Sequence, residues 1–361
     1  MSVYLHHLET VVPELSHSQE RVGGIMAAGL DDRKLERLTA RVYRQSGIDK
    51  RHSVIRDFGQ SGPDNIFFEP DGTFKRLSTK TRNDLYTEEA TRLYVCAARR
   101  ALAHTSFAPE DVTHVVTVSC TGFFAPGPDY RIVRELGLNP ATERYHVGFM
   151  GCYAAFPALR MAQAFCEVDP EAVVLVVSVE LCTLHLRPPT DVASIIATSV
   201  FADGGAAAVV SAAPPTDKAL KLESFASTLT DTGEADMAWT IGDEGFNMVL
   251  STYVPQILEA NMGAVVDPFL AAASLDRADV AHWAVHPGGR AILDEVESAL
   301  ELTPDRLEAS RQVLKNYGNM SSATVLFVLK EVLAGVAAGE HVDATAFGPG
   351  LTVESGLFSV V

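Results

Sequence analysis

The chain has 361 residues, 47% hydrophobic and 21% charged, a globular composition with material for one large unit or two ordinary ones. Its 29 basic and 46 acidic residues leave a net charge of −17, which argues against broad nucleic-acid binding and against docking on anionic membranes. No apolar run approaches a membrane span, the start lacks a basic stretch followed by an apolar one, and five cysteines without a CxxC pair point to a reducing, cytoplasmic setting.

The segment Arg33 to Arg51 departs from the acidic balance. It holds Arg33, Lys34, Arg37, Arg41, Arg44, Lys50 and Arg51 against Glu36 and Asp49. Lys34, Arg37, Arg41 and Arg44 recur at helical spacing, which predicts a basic helix face with Leu35, Leu38 and Val42 on the apolar side. Most such runs are solvated faces; on an acidic protein this one suggests a dock for a small polyanion. Further along, Glu88–Ala103, Tyr153–Glu167, Ala291–Leu300 and Ala323–Leu333 read as helices, and Val115–Ser119, Val173–Val179 and Ala206–Val210 as buried strands. The stretch Ser211-Ala212-Ala213-Pro214-Pro215-Thr216-Asp217 breaks the pattern and divides an N-terminal half, residues 1–213, from a C-terminal half, residues 218–361.

The halves look like copies of one β/α unit. Asp111-Val112-Thr113-His114 leads into one strand and Asp279-Val280-Ala281-His282 into another, at an offset of 168 residues. Downstream of each, Gly151-Cys152 and Gly318-Asn319 open apolar helices at an offset of 167. Equivalent helix starts near a pseudo-twofold axis would let Cys152 and Asn319 face one another.

Three residues carry the chemistry. Cys152 precedes a helix with small residues on its first turn, so its thiol is expected to feel the positive dipole end and fall from roughly 8.5 into the ~3.5–7.5 range of activated cysteines. An ordinary buried cysteine is the better reading for Cys96 and Cys166. His286 ends a strand and is followed by Pro287-Gly288-Gly289, which leaves the imidazole at the carboxyl edge of a sheet; His114 and His282 read as core histidines. Asn319 alone would read as a helix cap. With a thiol and an imidazole it completes an acyl-transfer site: a nucleophile, a base to activate it and an amide to bind an oxyanion.

The run Tyr317-Gly318-Asn319-Met320-Ser321-Ser322-Ala323-Thr324-Val325-Leu326-Phe327 and the terminal Phe347-Gly348-Pro349-Gly350-Leu351-Thr352-Val353-Glu354-Ser355 resemble signatures of the type III polyketide synthases, the chalcone synthase superfamily. Gly151-Cys152, Phe201-Ala202-Asp203-Gly204-Gly205-Ala206 and His286-Pro287-Gly288-Gly289 extend the resemblance over nearly the whole chain. It implies an α/β homodimer of the duplicated thiolase-type fold, layered αβαβα, with no metal or cofactor because CoA thioesters are the substrates. It further implies that Cys152 takes a starter acyl group from its CoA ester, with His286 holding the thiolate in an ion pair. His286 and Asn319 would then bind the thioester oxygen of malonyl-CoA and stabilise the enolate left by decarboxylation. Phe201 and Phe246 match two gatekeeping phenylalanines between the CoA tunnel and the acyl cavity, although composition alone would leave both in the core. Arg41 matches a cation at the CoA tunnel mouth. Two neighbouring family lysine positions are Leu38 and Gln45 here, so Arg37 and Arg44 would substitute, and Arg290, where plant enzymes usually carry proline, would add a contact.

The starter is read from Cys120-Thr121-Gly122-Phe123-Phe124-Ala125-Pro126-Gly127. In chalcone synthases the position of Ala125 is a methionine that closes the neighbouring subunit's cavity. Thr121, Ala125 and Cys182, with His185 beside them, match the residues that line a long-chain acyl tunnel in bacterial alkylpyrone-forming relatives, and Met237-Ala238-Trp239-Thr240-Ile241-Gly242-Asp243-Glu244-Gly245-Phe246 resembles the same enzymes. The expectation is a long-chain fatty acyl-CoA extended by malonyl-CoA to an alkylpyrone or alkylresorcinol, an apolar tunnel gaining roughly 0.8 kcal/mol per buried methylene. Cys120 supports a competing reading, the malonyl-primed tetrahydroxynaphthalene type. A ketoacyl-ACP synthase III would share Cys, His and Asn but lack the terminal Gly-Pro-Gly signature, and a non-catalytic acyl-binding protein would have lost part of the trio.

Overall fold

The computed structural model describes residues 1–59 and 65–361. The first half runs β1 (Val3–Val11), β2 (Ser16–Ser18), α1 (Gln19–Ala28), α2 (Arg33–Gln45), β3 (Lys50–His52), α3 (Thr79–Ala103), β4 (His114–Ser119), α4 (Pro128–Leu136), β5 (Glu143–Gly148), α5 (Ala155–Val168), β6 (Val173–Leu181), α6 (Val192–Val200) and β7 (Asp203–Ser211). The second runs β8 (Leu220–Leu229), β9 (Met237–Gly242), β10 (Gly245–Leu250), α7 (Val254–Ala272), β11 (Val280–Val285), α8 (Arg290–Ala299), α9 (Glu308–Tyr317), α10 (Thr324–Gly335), β12 (His341–Gly348) and β13 (Thr352–Val360). The Pro-rich stretch from Ser211 falls between β7 and β8.

Nine strands form one sheet in the order β11-β12-β13-β8-β1-β7-β6-β4-β5. From β1 outward the pairings run antiparallel to β7, antiparallel to β6 and parallel to β4. From β8 outward they run antiparallel to β13, antiparallel to β12 and parallel to β11. The same sequence of pairings on either side of the β1–β8 junction is the duplication that the matched offsets predicted.

Side-chain direction then builds five layers. In β6 every residue is buried; Val174 and Val176 point into the central core, and Val173, Leu175, Val177 and Val179 into the outer one. Alternate residues of a strand face opposite sides, so burial on both reads as a continuous apolar run. Each such Val or Leu contributes roughly 1.5–3 kcal/mol. Tyr94, Ala97, Ala98 and Ala101 of α3 cover the outer face of the first half. Phe156 and Leu159 of α5 and Leu326 and Phe327 of α10 fill the centre. Leu258 and Met262 of α7 with Leu293 and Val296 of α8 cover Trp283 and Val285 on the far side. This is the αβαβα thiolase-type arrangement.

Two local expectations change. Helix α3 begins at Thr79, with Ser78 Oγ accepting from Thr81 N at 3.1 Å, because the polar opening Lys80 to Asp84 hides its start from apolar periodicity. On α2 the buried residues are Thr39 and Tyr43, while Leu35, Leu38 and Val42 are only half-buried.

Candidate active site

Cys152 and Asn319 both lie in turns ahead of their helices, not inside the first helical turn. Helix α5 starts at Ala155, and a short 3-10 turn, Ser321–Ala323, separates Asn319 from α10. Each turn is made by a glycine in the left-handed region, Gly151 at φ +82° and Gly318 at φ +76°. A side chain at Gly318 would also meet Val200 O at 3.0 Å and Arg51 Cγ at 3.1 Å. Glycine is therefore required twice over at that position, by dihedral and by space.

The Asn319 main chain is clamped against the end of α6: its N–H donates to Val200 O at 2.8 Å, and its carbonyl accepts from Ala202 N at 2.8 Å. The side-chain oxygen accepts from Ser321 N at 2.8 Å, and Nδ2 donates to Gly288 O at 3.3 Å. That network fixes the amide orientation and leaves one N–H of Nδ2 for a ligand. His286 follows β11 directly, its N–H donating to Thr345 O at 2.8 Å. His286 is 1% exposed, and among the described residues neither ring nitrogen has a hydrogen-bond partner. A buried unpartnered polar group is expensive and marks a place where a ligand completes the bonding.

Cys152, His286 and Asn319 line one cavity of about 40 Å³, with Cys120, Phe201, Trp239, Met248 and Ser321 among the other walls. Burial pushes the Cys152 thiol up to about 12, opposed by the Ser321 hydroxyl, raised further by the Glu180 charge and opposed again by the Asn319 amide. Burial alone takes His286 down to about 3. Both directions run against the expected low thiol pKa and resting ion pair: α5 begins only at Ala155, three residues beyond Cys152, and burial favours the neutral thiol and the neutral imidazole.

His185 is also taken down to about 3, by burial first. Its Nε2 bonds Thr121 O at 2.8 Å, and Nδ1 accepts from Phe246 N at 3.0 Å. For both histidines the folded-state pKa is depressed, so their contribution to stability is complete above the unfolded value near 6.5 and is lost as pH falls from there towards 3. Each pH unit in that window removes about 1.4 kcal/mol per histidine. Urea unfolding between pH 7 and 5 is expected to show this loss, with a shallower slope in His185→Gln; equal slopes would mean that His185 is not held neutral.

A second cavity of about 390 Å³ adjoins the first. Phe201, Trp239 and Met248 wall both, while Cys182, His185, Ala197 and Phe246 belong to the second alone. Phe201 lines both cavities and Phe246 the larger one. Phe246 stacks on His185 at 4.2 Å, and the shared wall opposite Phe201 is Trp239 and Met248, cross-strand partners on the β9–β10 hairpin. Trp239 is pinned by Nε1 donating to Cys120 O at 2.7 Å. Thr121 and Ala125 line neither cavity: Thr121 Oγ1 donates to Glu180 Oε2 at 2.7 Å, and Ala125 is exposed on the surface of the chain.

Behind the cavity, Glu180 gathers the end of β4 and the start of α10. It accepts from Cys120 N at 3.0 Å, Ser119 Oγ at 3.1 Å, Thr121 and Ser322. Cys120 Sγ lies 3.3 Å from Ser321 Oγ. A glutamate inside the apolar run of β6 was the sequence signal for this buried network. Arg37, Arg41 and Arg44 are exposed on α2, and Arg290, also exposed, packs against Gly47 just beyond the end of that helix. Arg51 is instead buried, at 2% exposure. Among the described residues, His7, Glu9 and His104 form the one group with metal-ligand spacing; Lys330 Nζ bonds Glu9 at 2.7 Å, and none of the three lines either cavity.

Two family models cover the chain, the N-terminal domain of the chalcone and stilbene synthases over residues 19–214 and the C-terminal domain over residues 221–361. The chain belongs to the chalcone and stilbene synthase family. It is a type III polyketide synthase. The synthase is 32% identical over 341 residues to the alpha-pyrone synthesis polyketide synthase-like Pks18 of Mycobacterium tuberculosis, a match spanning 92% of this chain and 84% of that protein. It is 33% identical over 299 residues to a putative chalcone synthase of Bacillus subtilis, spanning 78% and 81% respectively. The crystal structure of PKS-I from the brown alga Ectocarpus siliculosus superposes with a TM-score of 0.94 at 30% identity, over 100% of this synthase and 99% of that chain. The C-terminal type III domain of Steely1 from Dictyostelium gives 0.91 at 26% identity, over 99% of each. Among the described residues no helix is long and apolar enough to cross a membrane.

Proposed function

We propose that the synthase loads a long-chain fatty acyl group from its CoA ester onto Cys152 and extends it with malonyl-CoA to an alkylpyrone or alkylresorcinol. The observation that carries the catalytic part is the convergence of Cys152, His286 and Asn319 on one cavity from three separate segments. As Cys152 Sγ attacks the thioester, its proton passes to the bare nitrogen of neutral His286 and then to the departing CoA sulfur. Malonyl-CoA next places its thioester oxygen against the imidazole N–H and the free N–H of Asn319. Loss of carbon dioxide leaves an enolate held by those two donors, and its carbon attacks the Cys152 thioester carbonyl, forming the new C–C bond, breaking the C–Sγ bond and releasing Cys152 as a thiolate that takes a proton from water. A neutral imidazole suits both steps, since one nitrogen accepts and the other donates.

The fatty starter is supported by the second cavity, whose walls include Leu186, Ala197, Phe201, Phe246 and Met248, and by the similarity to the alpha-pyrone protein of M. tuberculosis. Arg37, Arg41 and Arg44 on α2, with Arg290 beside Gly47, are exposed cations that would suit the CoA phosphates. No metal or other cofactor enters these steps. A homodimer is expected, with exposed Ala125 presented to the partner subunit.

The small cavity at the trio and the Cys120 thiol in its wall favour one alternative, priming by malonyl-CoA itself. Incubation with octanoyl- to stearoyl-CoA and labelled malonyl-CoA separates the two. Extended alkyl products support the fatty starter; labelled product from malonyl-CoA alone, with none from any fatty starter, replaces it with the malonyl-primed reading.

A further inference from the structure

The sequence places Arg51 at the end of a basic run, yet the structure removes it from the surface and seats it between the end of α6 and Gly318. The last four carbonyls of an α-helix have no partner within the helix. At the end of α6, Thr198 O is taken by Tyr43 Oη at 2.9 Å and by Arg51 Nη1 at 2.9 Å, and Ser199 O by Gln19 Nε2 at 2.7 Å. Val200 O is taken by Asn319 N at 2.8 Å. The same Arg51 nitrogen donates to Phe201 O at 2.6 Å, just beyond the helix. Asn319 and Phe201 are joined by an isolated parallel bridge. The guanidinium sits over the Tyr43 ring at 5.4 Å, and its Cγ lies where a side chain at Gly318 would have to go.

A positive charge at the negative end of a helix is favourable, and a carbonyl bonded to a guanidinium is held more tightly than one bonded to water. Buried Asp203 at the start of β7 feels the Arg51 charge without pairing with it, its carboxylate being taken by Thr183 and by Val54 N; among the described residues Arg51 Nε and Nη2 have no partner, so the guanidinium is held through Nη1. Arg51 thereby fixes the segment Thr198 to Phe201 against which the Asn319 backbone is registered. We infer that Arg51 is a positioning residue for Asn319, acting through the α6 terminus and not by contact with substrate. The inference rests on the proposed role of Asn319 as an oxyanion donor, where a misplacement of about 1 Å can reduce rate a hundredfold.

Arg51→Met and Arg51→Lys in the full chain, with and without Asn319→Ala, test it by steady-state malonyl-CoA decarboxylation after melting curves confirm folding. Arg51→Met is expected to lower kcat at least tenfold with KM changed by less than about threefold, and Arg51→Lys to recover part of the loss. In the Asn319→Ala background the further loss is expected to be under twofold, because the group being positioned is gone. Equal losses in both backgrounds, or an unchanged kcat in folded Arg51→Met, overturn the inference. Should Arg51→Met not fold, the same comparison with Arg51→Lys decides, a several-fold loss confined to the Asn319 background supporting it. Full decarboxylation in Asn319→Ala refutes the oxyanion role and the inference with it, whereas loss in Asn319→Ala beside an intact Arg51→Met refutes the inference alone.

Discussion

Replacing His286 with alanine is expected to lower both acylation of Cys152 and decarboxylation of malonyl-CoA by about three orders of magnitude. The general-base contribution is typically 10²–10⁴-fold and an oxyanion donor about 10²–10³-fold, and one ring serves both. Its two nitrogens are sealed from solvent without partners among the described residues, so no group of the cavity wall is already bonded to it and able to stand in. Glutamine at the same position separates the roles. It keeps a donor for the thioester oxygen but is far too weak a base to take the thiol proton, so decarboxylation should recover more than loading. Loading is read by mass and decarboxylation by release of labelled carbon dioxide. A His286→Ala protein that still acylates Cys152 at the original rate would remove the imidazole from the mechanism.

The second large effect concerns starter length. Trp239 separates the cavity of the trio from the larger one, held by its bond to Cys120 O at 2.7 Å and edge-on to His185 and Phe246 at 5.6 and 5.8 Å. Trp239→Ala joins the two spaces. At roughly 0.8 kcal/mol per buried methylene, two further buried carbons are worth more than tenfold in relative kcat/KM. The ratio of palmitoyl-CoA to octanoyl-CoA is therefore expected to rise at least tenfold in Trp239→Ala and to change little in Trp239→Phe, which keeps a plug. A ratio unmoved by alanine would mean that the indole does not limit the acyl chain.

What could be read in the sequence follows from which features are local. The strands of the sheet were legible because both faces of β4, β6 and β7 are buried, which turns them into unbroken apolar runs. The trio was legible because left-handed glycines and a strand end leave marks in the adjacent residues. The state of Cys152 was not: its thiol depends on how far the helix starts from the turn and on walls supplied by residues distant in the chain. That Trp239 and Met248 join Phe201 in lining both cavities was not legible, since which side chain of a hairpin faces which cavity is set by how the hairpin lies across the sheet. The surroundings of Thr121 and Ala125 are likewise set by tertiary contacts. Glu180 draws Thr121 into a hydrogen-bond network, and the loop carrying Ala125 turns outward. Charge patterning correctly put Arg37, Arg41 and Arg44 on one exposed face but could not show that Arg51, a short distance on, turns inward to cap a helix.

The central claim is that Cys152 is the acyl acceptor of the site it shares with His286 and Asn319. Incubation with palmitoyl-CoA in the absence of malonyl-CoA, followed by proteolysis and peptide mass analysis, tests it most directly. The account predicts one palmitoyl group per chain on the peptide containing Cys152, lost in Cys152→Ala and released on addition of malonyl-CoA as extended product. Acylation at Cys120 or Cys182 with Cys152 unmodified, or turnover in Cys152→Ala, would contradict it.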